Sequence, residues 1–184
     1  MRIVAGVAGG RRLAAPADGT RPTSDRTREA LFSTLAASMQ LEDARVLDLY
    51  AGTGAVGLEA LSRGAATAVL VESHRRALAV LRRNVETVGL PGAHVVGQPV
   101  GTFLATAPEQ PFDLVFADPP YALDPARLHA VLSRLATPGW LAPDAFVVVE
   151  RSARNASSDW SFDFLTPAGE KRYGDSLLWY GRAR

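Results

Sequence analysis

The feature that most limits how this 184-residue chain can fold is an alternation of short apolar runs with helical stretches between residues 46 and 150. The apolar runs predict buried strands, and the longer stretches between them predict helices. Strands that alternate with helices form βαβ units, so the strands lie parallel in one sheet with right-handed crossovers. The predicted strands of this α/β fold are 45–50, 67–72, 93–97, 112–117 and 145–150, and the predicted helices are 55–63, 73–88, 100–106 and 125–136.

The C-terminal tail follows a different pattern. Residues 160–166 and 174–181 have strand character, and the polar stretch 167–173 separates them. Two strands joined by such a loop predict a hairpin, which would close the sheet with an antiparallel edge.

The N-terminal residues precede the alternating region. Residues 1–7 and 10–15 predict a small hairpin. Ser24 or Thr23 then caps a helix that continues to about residue 38. The predicted organisation is an Arg-rich N-terminal extension and a main domain, residues 1–40 and 41–184.

The composition limits the class and compartment of the protein. The chain has no cysteine, which excludes disulfides and thiolate chemistry. No apolar stretch approaches the roughly 18 residues that a membrane span needs, and the first residues lack the apolar core of a secretory signal. The histidines lie far apart in sequence, without the spacing of metal ligands. We therefore expect a cytoplasmic enzyme without a metal site.

A glycine-rich loop follows the first predicted strand. Gly52, Gly54 and Gly57 match the fingerprint of dinucleotide-binding loops, where glycine permits a sharp turn and close approach of a ligand. Glu72 ends the next predicted strand, where such folds place an acid on the ribose hydroxyls. Asp48 precedes the loop and suits a cationic ligand, whereas it would be poorly placed beside a pyrophosphate. This pattern favours S-adenosylmethionine, which carries an ammonium group and a sulfonium, over NAD.

The strand predicted at 112–117 leads directly into the tetrapeptide Asp118, Pro119, Pro120 and Tyr121. Open α/β sheets bind ligands at the carboxyl ends of their strands. The exocyclic amine of a nucleobase is a poor nucleophile, because its lone pair is delocalised into the ring. The Asp118 carboxylate and the Pro119 carbonyl can accept the amine hydrogens and direct the lone pair at a methyl group, while Tyr121 stacks on the base. The tetrapeptide therefore predicts an amino-methyltransferase.

The chain resembles the RsmD family of bacterial 16S ribosomal RNA guanine-N2 methyltransferases. The glycine loop and the tetrapeptide are shared by many amino-methyltransferases, whereas 21–26 and 58–65 are more particular to this family. The segments that carry the resemblance cover nearly the whole chain: 1–6, 21–26, 28–32, 47–54, 57–65, 118–121 and 171–174.

The resemblance implies a class I methyltransferase fold, which is Rossmann-like, with a seven-stranded, mostly parallel sheet and one antiparallel strand. It implies an enzyme that acts on 16S rRNA in an assembled or assembling small subunit, and we expect this protein to be a monomer. Many relatives carry Asp or Asn beside the cofactor adenine, but this chain has Pro99 there, so that contact is left to Gln98 or to the backbone. The residues expected to bind S-adenosylmethionine are Asp48, Tyr50, Ala51, Gly52, Gly54 and Glu72, and the expected catalytic residues are Asp118, Pro119, Pro120 and Tyr121.

Arginine dominates the basic residues, since only Lys171 of the 20 is a lysine. Guanidinium groups bind phosphates bidentately, which predicts contacts with an RNA backbone. A GC-rich coding sequence would produce the same composition. The residues expected to contact RNA are Arg11, Arg12, Arg21, Arg26, Lys171 and Arg172, the last two in the predicted C-terminal hairpin loop.

The function predicted from these features is transfer of a methyl group from S-adenosylmethionine to guanine N2 in 16S rRNA. Three alternatives stay open from the residues themselves. The same tetrapeptide would serve an adenine or cytosine amino-methyltransferase acting on DNA. The fold would also serve a noncatalytic RNA-binding module, and the glycine loop would serve an NAD-linked oxidoreductase.

Overall fold

The computed structural model describes residues 1–15, 24–153 and 161–184. Strands in these ranges are β1 (Arg45–Leu49), β2 (Thr67–Val71), β3 (Ala93–Val96), β4 (Phe112–Ala117), β5 (Leu141–Ser152), β6 (Leu165–Tyr173) and β7 (Ser176–Ala183). Helices are α1 (Asp25–Ala36), α2 (Ala55–Ser62), α3 (Arg75–Val88), α4 (Val100–Phe103) and α5 (Pro125–Leu132), which continues into a 3-10 turn at Ser133–Ala136. None of these helices combines the length and the apolar composition needed to cross a bilayer.

The strands form one seven-stranded sheet in the order β3-β2-β1-β4-β5-β7-β6. Strands β1 to β5 pair in parallel, and β7 runs antiparallel to both of its neighbours. The predicted fold class is therefore confirmed, with β7 as the single antiparallel strand. Because the parallel strands point the same way, the carboxyl ends of β1, β2 and β4 lie side by side along one boundary of the sheet, which we call its carboxyl edge.

Helices cover both faces of the sheet, as parallel sheets require. Leu31, Leu58 and Leu81, one each from α1, α2 and α3, are buried in one hydrophobic cluster. Val100 of α4 and Leu128 of α5 are buried in the cluster on the other face. The predicted Ser24 cap of α1 is present, since its Oγ accepts a hydrogen bond from the N–H of Thr27 at 3.1 Å. The two clusters fix the helices against the sheet and so fix the loops at its edge.

The C-terminal hairpin differs from the prediction. The stretch predicted as a loop belongs to β6, and the turn lies at Gly174 and Asp175. β6 is the edge strand and its residues 166–172 are exposed, so they have the polar composition of a loop. The prediction that Lys171 and Arg172 lie in a loop was therefore wrong, because both lie in a strand. Elsewhere the boundaries agree within two residues, except that β5 starts earlier than predicted and α4 ends earlier.

The predicted N-terminal hairpin is present as a short antiparallel pairing. The N–H of Ile3 donates to the carbonyl of Arg11 at 2.9 Å, and the N–H of Leu13 donates to the carbonyl of Met1 at 3.1 Å. Ile3 and Leu13 are buried in the same hydrophobic cluster as α1, α2 and α3. The hairpin is thus packed on the helices of the main domain.

Glu59 of α2 holds the first arm of this hairpin. Its fully buried carboxylate accepts the N–H groups of Val4 and Ala5 at 2.7 and 2.9 Å and the Nε–H of Arg63 at 2.8 Å. The guanidinium of Arg28, also fully buried, lies with its Nε 4.0 Å from Glu59 Oε2. Because these charges are withdrawn from water, removal of the carboxylate would deprive a buried cation of a counter-charge.

We expect Glu59→Ala to lower the free energy of unfolding by about 3–5 kcal/mol, because it removes three hydrogen bonds and a counter-charge of Arg28. Urea denaturation measures the change. The matched control is Glu86→Ala, which removes an exposed carboxylate from α3 and should change stability by less than about 0.5 kcal/mol. Similar small losses in both variants would contradict the role given to Glu59.

Candidate active site

The turn from β1 into α2 requires backbone conformations that favour glycine. Gly52 and Gly54 have φ of +55° and +78°. A Cβ on Gly54 would lie 2.3 Å from the Cδ1 of Leu81, so α3 packs directly against this turn. Tyr50 also has a positive φ, +62°, which is unusual for a residue with a side chain. The loop is therefore held in one sharp shape at the carboxyl end of β1.

Asp48 on β1 is buried beneath this loop, with 2% of its surface exposed. Its Oδ2 accepts the N–H of Gly57 in the first turn of α2 at 3.0 Å. Gly54, the residue before α2, has no side chain to cap the helix, so Asp48 supplies the missing acceptor. Burial raises the pKa of the Asp48 carboxyl to about 7; the Gly57 hydrogen bond opposes this shift and the charge of Glu72 adds to it. A cation bound beside Asp48 would favour its ionised form.

Glu72 ties the end of β2 to the same loop. Its Oε2 accepts the N–H of Gly52 at 2.9 Å, and its Oε1 accepts the N–H of His74 at 2.7 Å. The two backbone N–H groups hold the carboxylate between the glycine loop and the start of α3. This is the position that the sequence predicts for an acid on the ribose hydroxyls.

Residues 118–124, which we call the Asp118 loop, follow β4 and lie next to the end of β1. The N–H of Asp118 donates to the carbonyl of Leu49 at 3.3 Å, and the N–H of Leu123 donates to the carbonyl of Pro120 at 2.9 Å. Pro119 is buried, while the side chain of Tyr121 is half exposed, at 50%. Two prolines and these bonds restrict the loop, so the acceptors at its start are held in place before any ligand binds.

One cavity of about 1460 Å³ joins these elements at the edge of the sheet. This volume exceeds the roughly 300–1,000 Å³ of a site for one small ligand, so a nucleobase and a cofactor can occupy it together. Gly54 is the one predicted cofactor residue that does not line it, because it packs against Leu81 instead. The other predicted residues that line it are Asp48, Tyr50, Ala51, Gly52, Glu72, Asp118, Pro119, Pro120 and Tyr121.

The cavity also has walls that the sequence did not single out. Arg76 and Arg127, near the starts of α3 and α5, line it. In the sequence only their positions mark them. Each lies in the first turn of a helix that follows a strand contributing residues to the cavity. Residues 99–102 form another wall, whereas Gln98 does not line the cavity. Of the two options left for the adenine contact, this arrangement favours the backbone.

The predicted RNA-contacting residues lie in several places. Arg11 donates to the carbonyl of Val88, the last residue of α3, about 12 Å along the helix from Val80, which lines the cavity. In this position it caps the carboxyl end of α3. Arg12 and Arg26 are exposed, and Arg21 lies outside the described residues.

The two basic residues of β6 point to opposite faces of the sheet, as successive strand residues do. The Nζ of Lys171 donates to the Oγ1 of Thr34 on α1 at 3.0 Å. The Nε of Arg172 donates to the carbonyl of Gly174 in the turn, at 3.3 Å. Since β6 runs parallel to β4, Arg172, near the end of β6, lies at the same carboxyl edge of the sheet as Asp118. The strand order separates them by three strand spacings, about 14 Å.

The fold and the cavity match known proteins. The family described as "Conserved hypothetical protein 95" matches residues 1–182. A curated relative in Escherichia coli K12, ribosomal RNA small subunit methyltransferase D, is 39% identical over 178 residues, which is 94% of this chain and 87% of the relative. A solved structure of yhhF from Escherichia coli, a candidate methyltransferase, superposes with a TM-score of 0.86 at 38% identity and covers 100% of this chain and 98% of that one. A candidate S-adenosylmethionine-dependent methyltransferase from Streptococcus mutans shares the fold with a TM-score of 0.74 at 14% identity, over 90% of this chain and 51% of that one.

The cavity and these relatives define a methyltransferase, and its site suits S-adenosylmethionine as the methyl donor. A glycine loop, a buried acid beneath it and an acid at the end of β2 fit a donor that carries an ammonium group and a ribose. The chain belongs to the conserved hypothetical protein 95 family, the RsmD family, as its sequence motifs indicate.

We expect the affinity for S-adenosylmethionine to rise as the pH increases through about 7, because the ammonium group of the donor favours the ionised form of Asp48. Asp48→Asn should weaken binding about tenfold or more at about pH 8, equivalent to roughly 1.4 kcal/mol, and should flatten the pH dependence. Isothermal titration calorimetry across this pH range measures both effects. A variant that keeps the affinity and the pH profile of the unaltered protein would contradict the role of Asp48.

The control for this variant is its stability without the donor. The folded-state pKa of about 7 exceeds the ordinary value of 3.8, so the folded protein binds more protons between these limits. Stability contributed by the protonated Asp48 is therefore lost as the pH rises from about 4 through about 7. Asp48→Asn has no such charge, and at about pH 8 it should be more stable than the unaltered protein, on the order of 4 kcal/mol. Weak donor binding by a stabilised variant excludes misfolding as the cause.

Proposed function

We propose that this protein transfers a methyl group from S-adenosylmethionine to the exocyclic N2 of a guanine in small-subunit 16S ribosomal RNA. The observation that carries the proposal is the single cavity that joins the glycine loop to the Asp118 loop. One end of this cavity has the acids suited to the donor. The other end has acceptors suited to an amine and a half-exposed ring suited to a base.

In this proposal Asp118 and Pro119 prepare the amine for attack. The bound donor supplies an electrophilic methyl carbon on a positively charged sulfur. The Asp118 carboxylate and the Pro119 carbonyl accept the two amine hydrogens, which favours a nitrogen whose lone pair points at that carbon. As the C–N bond forms, the bond from the methyl carbon to sulfur would break, its electron pair would return to sulfur, and the donor would leave as a neutral thioether. Positive charge develops on the nitrogen, and Asp118 stabilises this charge and accepts the proton that leaves.

Tyr121 and Pro120 hold the base in the proposed complex. The half-exposed Tyr121 offers an aromatic face at the mouth of the cavity. Stacking on an aromatic side chain is favourable for any base, so Tyr121 supports binding while shape and hydrogen bonds select the base. The target guanine must leave its own stack to reach Asp118, as in other enzymes that modify bases.

Arginines position the RNA in the same proposal. Arg172 stands at the same edge of the sheet as Asp118, at a distance that lets a phosphate near the target reach it. Arg12 and Arg26 are exposed and would add phosphate contacts from the N-terminal extension. Phosphate contacts of this kind set register without reading sequence.

The names of the relatives support ribosomal RNA as the substrate class. We propose the assembled or assembling small subunit as the acceptor and a monomer as the active species. The test is methyl transfer to small subunits from cells that lack this gene, to deproteinised 16S rRNA and to duplex DNA, followed by mass analysis of nucleosides. N2-methylguanosine in rRNA is expected, whereas methylated adenine or cytosine in DNA would favour the alternative amino-methyltransferase.

We expect Asp118→Ala to lower kcat at least about 100-fold, because it removes an acceptor aimed at the reacting nitrogen. Its affinity for S-adenosylmethionine should stay within about twofold, since the glycine loop is unchanged. Methylation assays and calorimetry measure the two quantities. Asp144→Asn, which changes an exposed carboxylate paired with Arg182 at 3.1 Å, is the control. Turnover by Asp118→Ala near that of the control would overturn the catalytic assignment.

We expect Arg172→Gln to raise KM for the RNA acceptor several-fold without changing KM for the donor. The slope of log affinity against log salt should fall by about 0.7 to 1, the value for one lost phosphate contact. Arg182→Gln, at the opposite end of the hairpin, is the matched control and should leave the slope unchanged. Equal slopes of log affinity against log salt in all three proteins would show that Arg172 does not contact an RNA phosphate.

A further inference from the structure

Asn84 of α3 connects the N-terminal hairpin to the glycine loop. Its side chain is 1% exposed and makes three hydrogen bonds to backbone groups. The Oδ1 accepts the N–H of Ala14 at 2.8 Å, and the Nδ2 donates to the carbonyl of Ala14 at 3.1 Å. The same Nδ2 donates to the carbonyl of Thr53 at 2.9 Å. One side chain therefore binds both the second arm of the hairpin and the loop between Gly52 and Gly54.

These three hydrogen bonds engage most of the hydrogen-bonding capacity of the Asn84 side chain. A side-chain amide has two N–H donors and one oxygen, and here both donors and the oxygen are engaged. The carbonyl of Thr53 belongs to a buried residue flanked by glycines with positive φ, so its direction is set by the shape of the loop. A change in that shape would alter the hydrogen bond to Nδ2 and shift the amide that also holds Ala14.

We propose that Asn84 is a positioning residue that couples donor binding to RNA binding. The proposal rests on the proposed function, in which the N-terminal extension contacts RNA. Binding of the donor at the glycine loop favours the loop conformation in which the Thr53 carbonyl accepts the hydrogen bond from Asn84. The same amide fixes the register of the hairpin arm at Ala14, so each ligand stabilises the arrangement that the other needs. Such coupling is reciprocal: RNA raises the affinity for the donor by the same factor by which the donor raises the affinity for RNA.

The hairpin offers a matched control on α2. Ser62 is buried, and its Oγ donates to the carbonyl of Ala5 at 2.5 Å and accepts the N–H of Ala8 at 2.9 Å. It therefore anchors the hairpin at two backbone groups, as Asn84 does. Within the described ranges, none of the hydrogen bonds of Ser62 reaches the glycine loop. Ser62→Ala loosens the hairpin without breaking the proposed connection.

The test is the affinity for S-adenosylhomocysteine, which occupies the donor site without reacting, measured with and without unmethylated 16S rRNA. In the unaltered protein we expect rRNA to raise this affinity about fivefold or more. Asn84→Ala should lower the affinity in the absence of RNA several-fold and reduce the effect of RNA to about one. Ser62→Ala should lower the thermal midpoint but keep the effect of RNA.

A second variant, Ala14→Pro, keeps the bonds from Asn84 Nδ2 to the carbonyls of Thr53 and Ala14, removes the N–H that the hairpin donates to Oδ1, and fixes φ at this position. It should bind S-adenosylhomocysteine with the affinity of the unaltered protein in the absence of RNA, and lose the effect of RNA. The inference is overturned if Asn84→Ala and Ala14→Pro keep the effect of RNA, or if the unaltered protein methylates rRNA and shows no such effect. An unaltered protein that binds S-adenosylhomocysteine but methylates no rRNA would instead overturn the proposed function.

Discussion

The turn from β1 into α2 depends on two carboxylates that hold backbone N–H groups. Asp48 accepts from Gly57 and caps α2 from below, and Glu72 accepts from Gly52 and ties the turn to β2. Without these acceptors the start of α2 and the glycine loop would have unsatisfied donors at a buried strand end. The same two carboxylates line the cavity, so the groups that hold the turn are also the groups offered to a cationic, ribose-bearing donor. The high pKa of Asp48 reflects this double use, because its burial disfavours the charge that a cation would restore.

The N-terminal hairpin is built into the helices that support this turn. Glu59 and Ser62 on α2 hold its first arm, and Asn84 on α3 holds the second arm together with the loop carbonyl of Thr53. These contacts are hydrogen bonds between side chains and backbone groups. Removal of one partner leaves the other as an unsatisfied polar group, which lowers the stability of the folded state. The N-terminal hairpin and the glycine loop therefore share one supporting residue, Asn84. This sharing is the physical basis on which the coupling of the two substrates is inferred.

The core of the fold could be predicted from local pattern, and the exceptions have physical reasons. β4 was predicted with its observed boundaries, because a buried parallel strand is a continuous apolar run. β6 was missed as a strand over most of its length, because an edge strand exposed on both sides needs no apolar residues. That Asp48, Glu72 and the Asp118 loop lie together at the ends of strands could be predicted because strand ends are marked in sequence. Arg127 could not, since a cation in the first turn of a helix has no distinguishing pattern.

By itself the sequence determined the parallel sheet, the glycine loop and the acids at three strand ends, since each depends on residue type within a few positions. Only the tertiary structure decided which distant groups meet. It placed Gly54 against Leu81 and outside the cavity wall, Arg11 at the far end of α3, and Asn84 between Ala14 and Thr53. These positions depend on how α3 packs against the glycine loop and on how the N-terminal hairpin lies across α2 and α3. That packing is set by contacts between residues separated by dozens of positions, which no local pattern records.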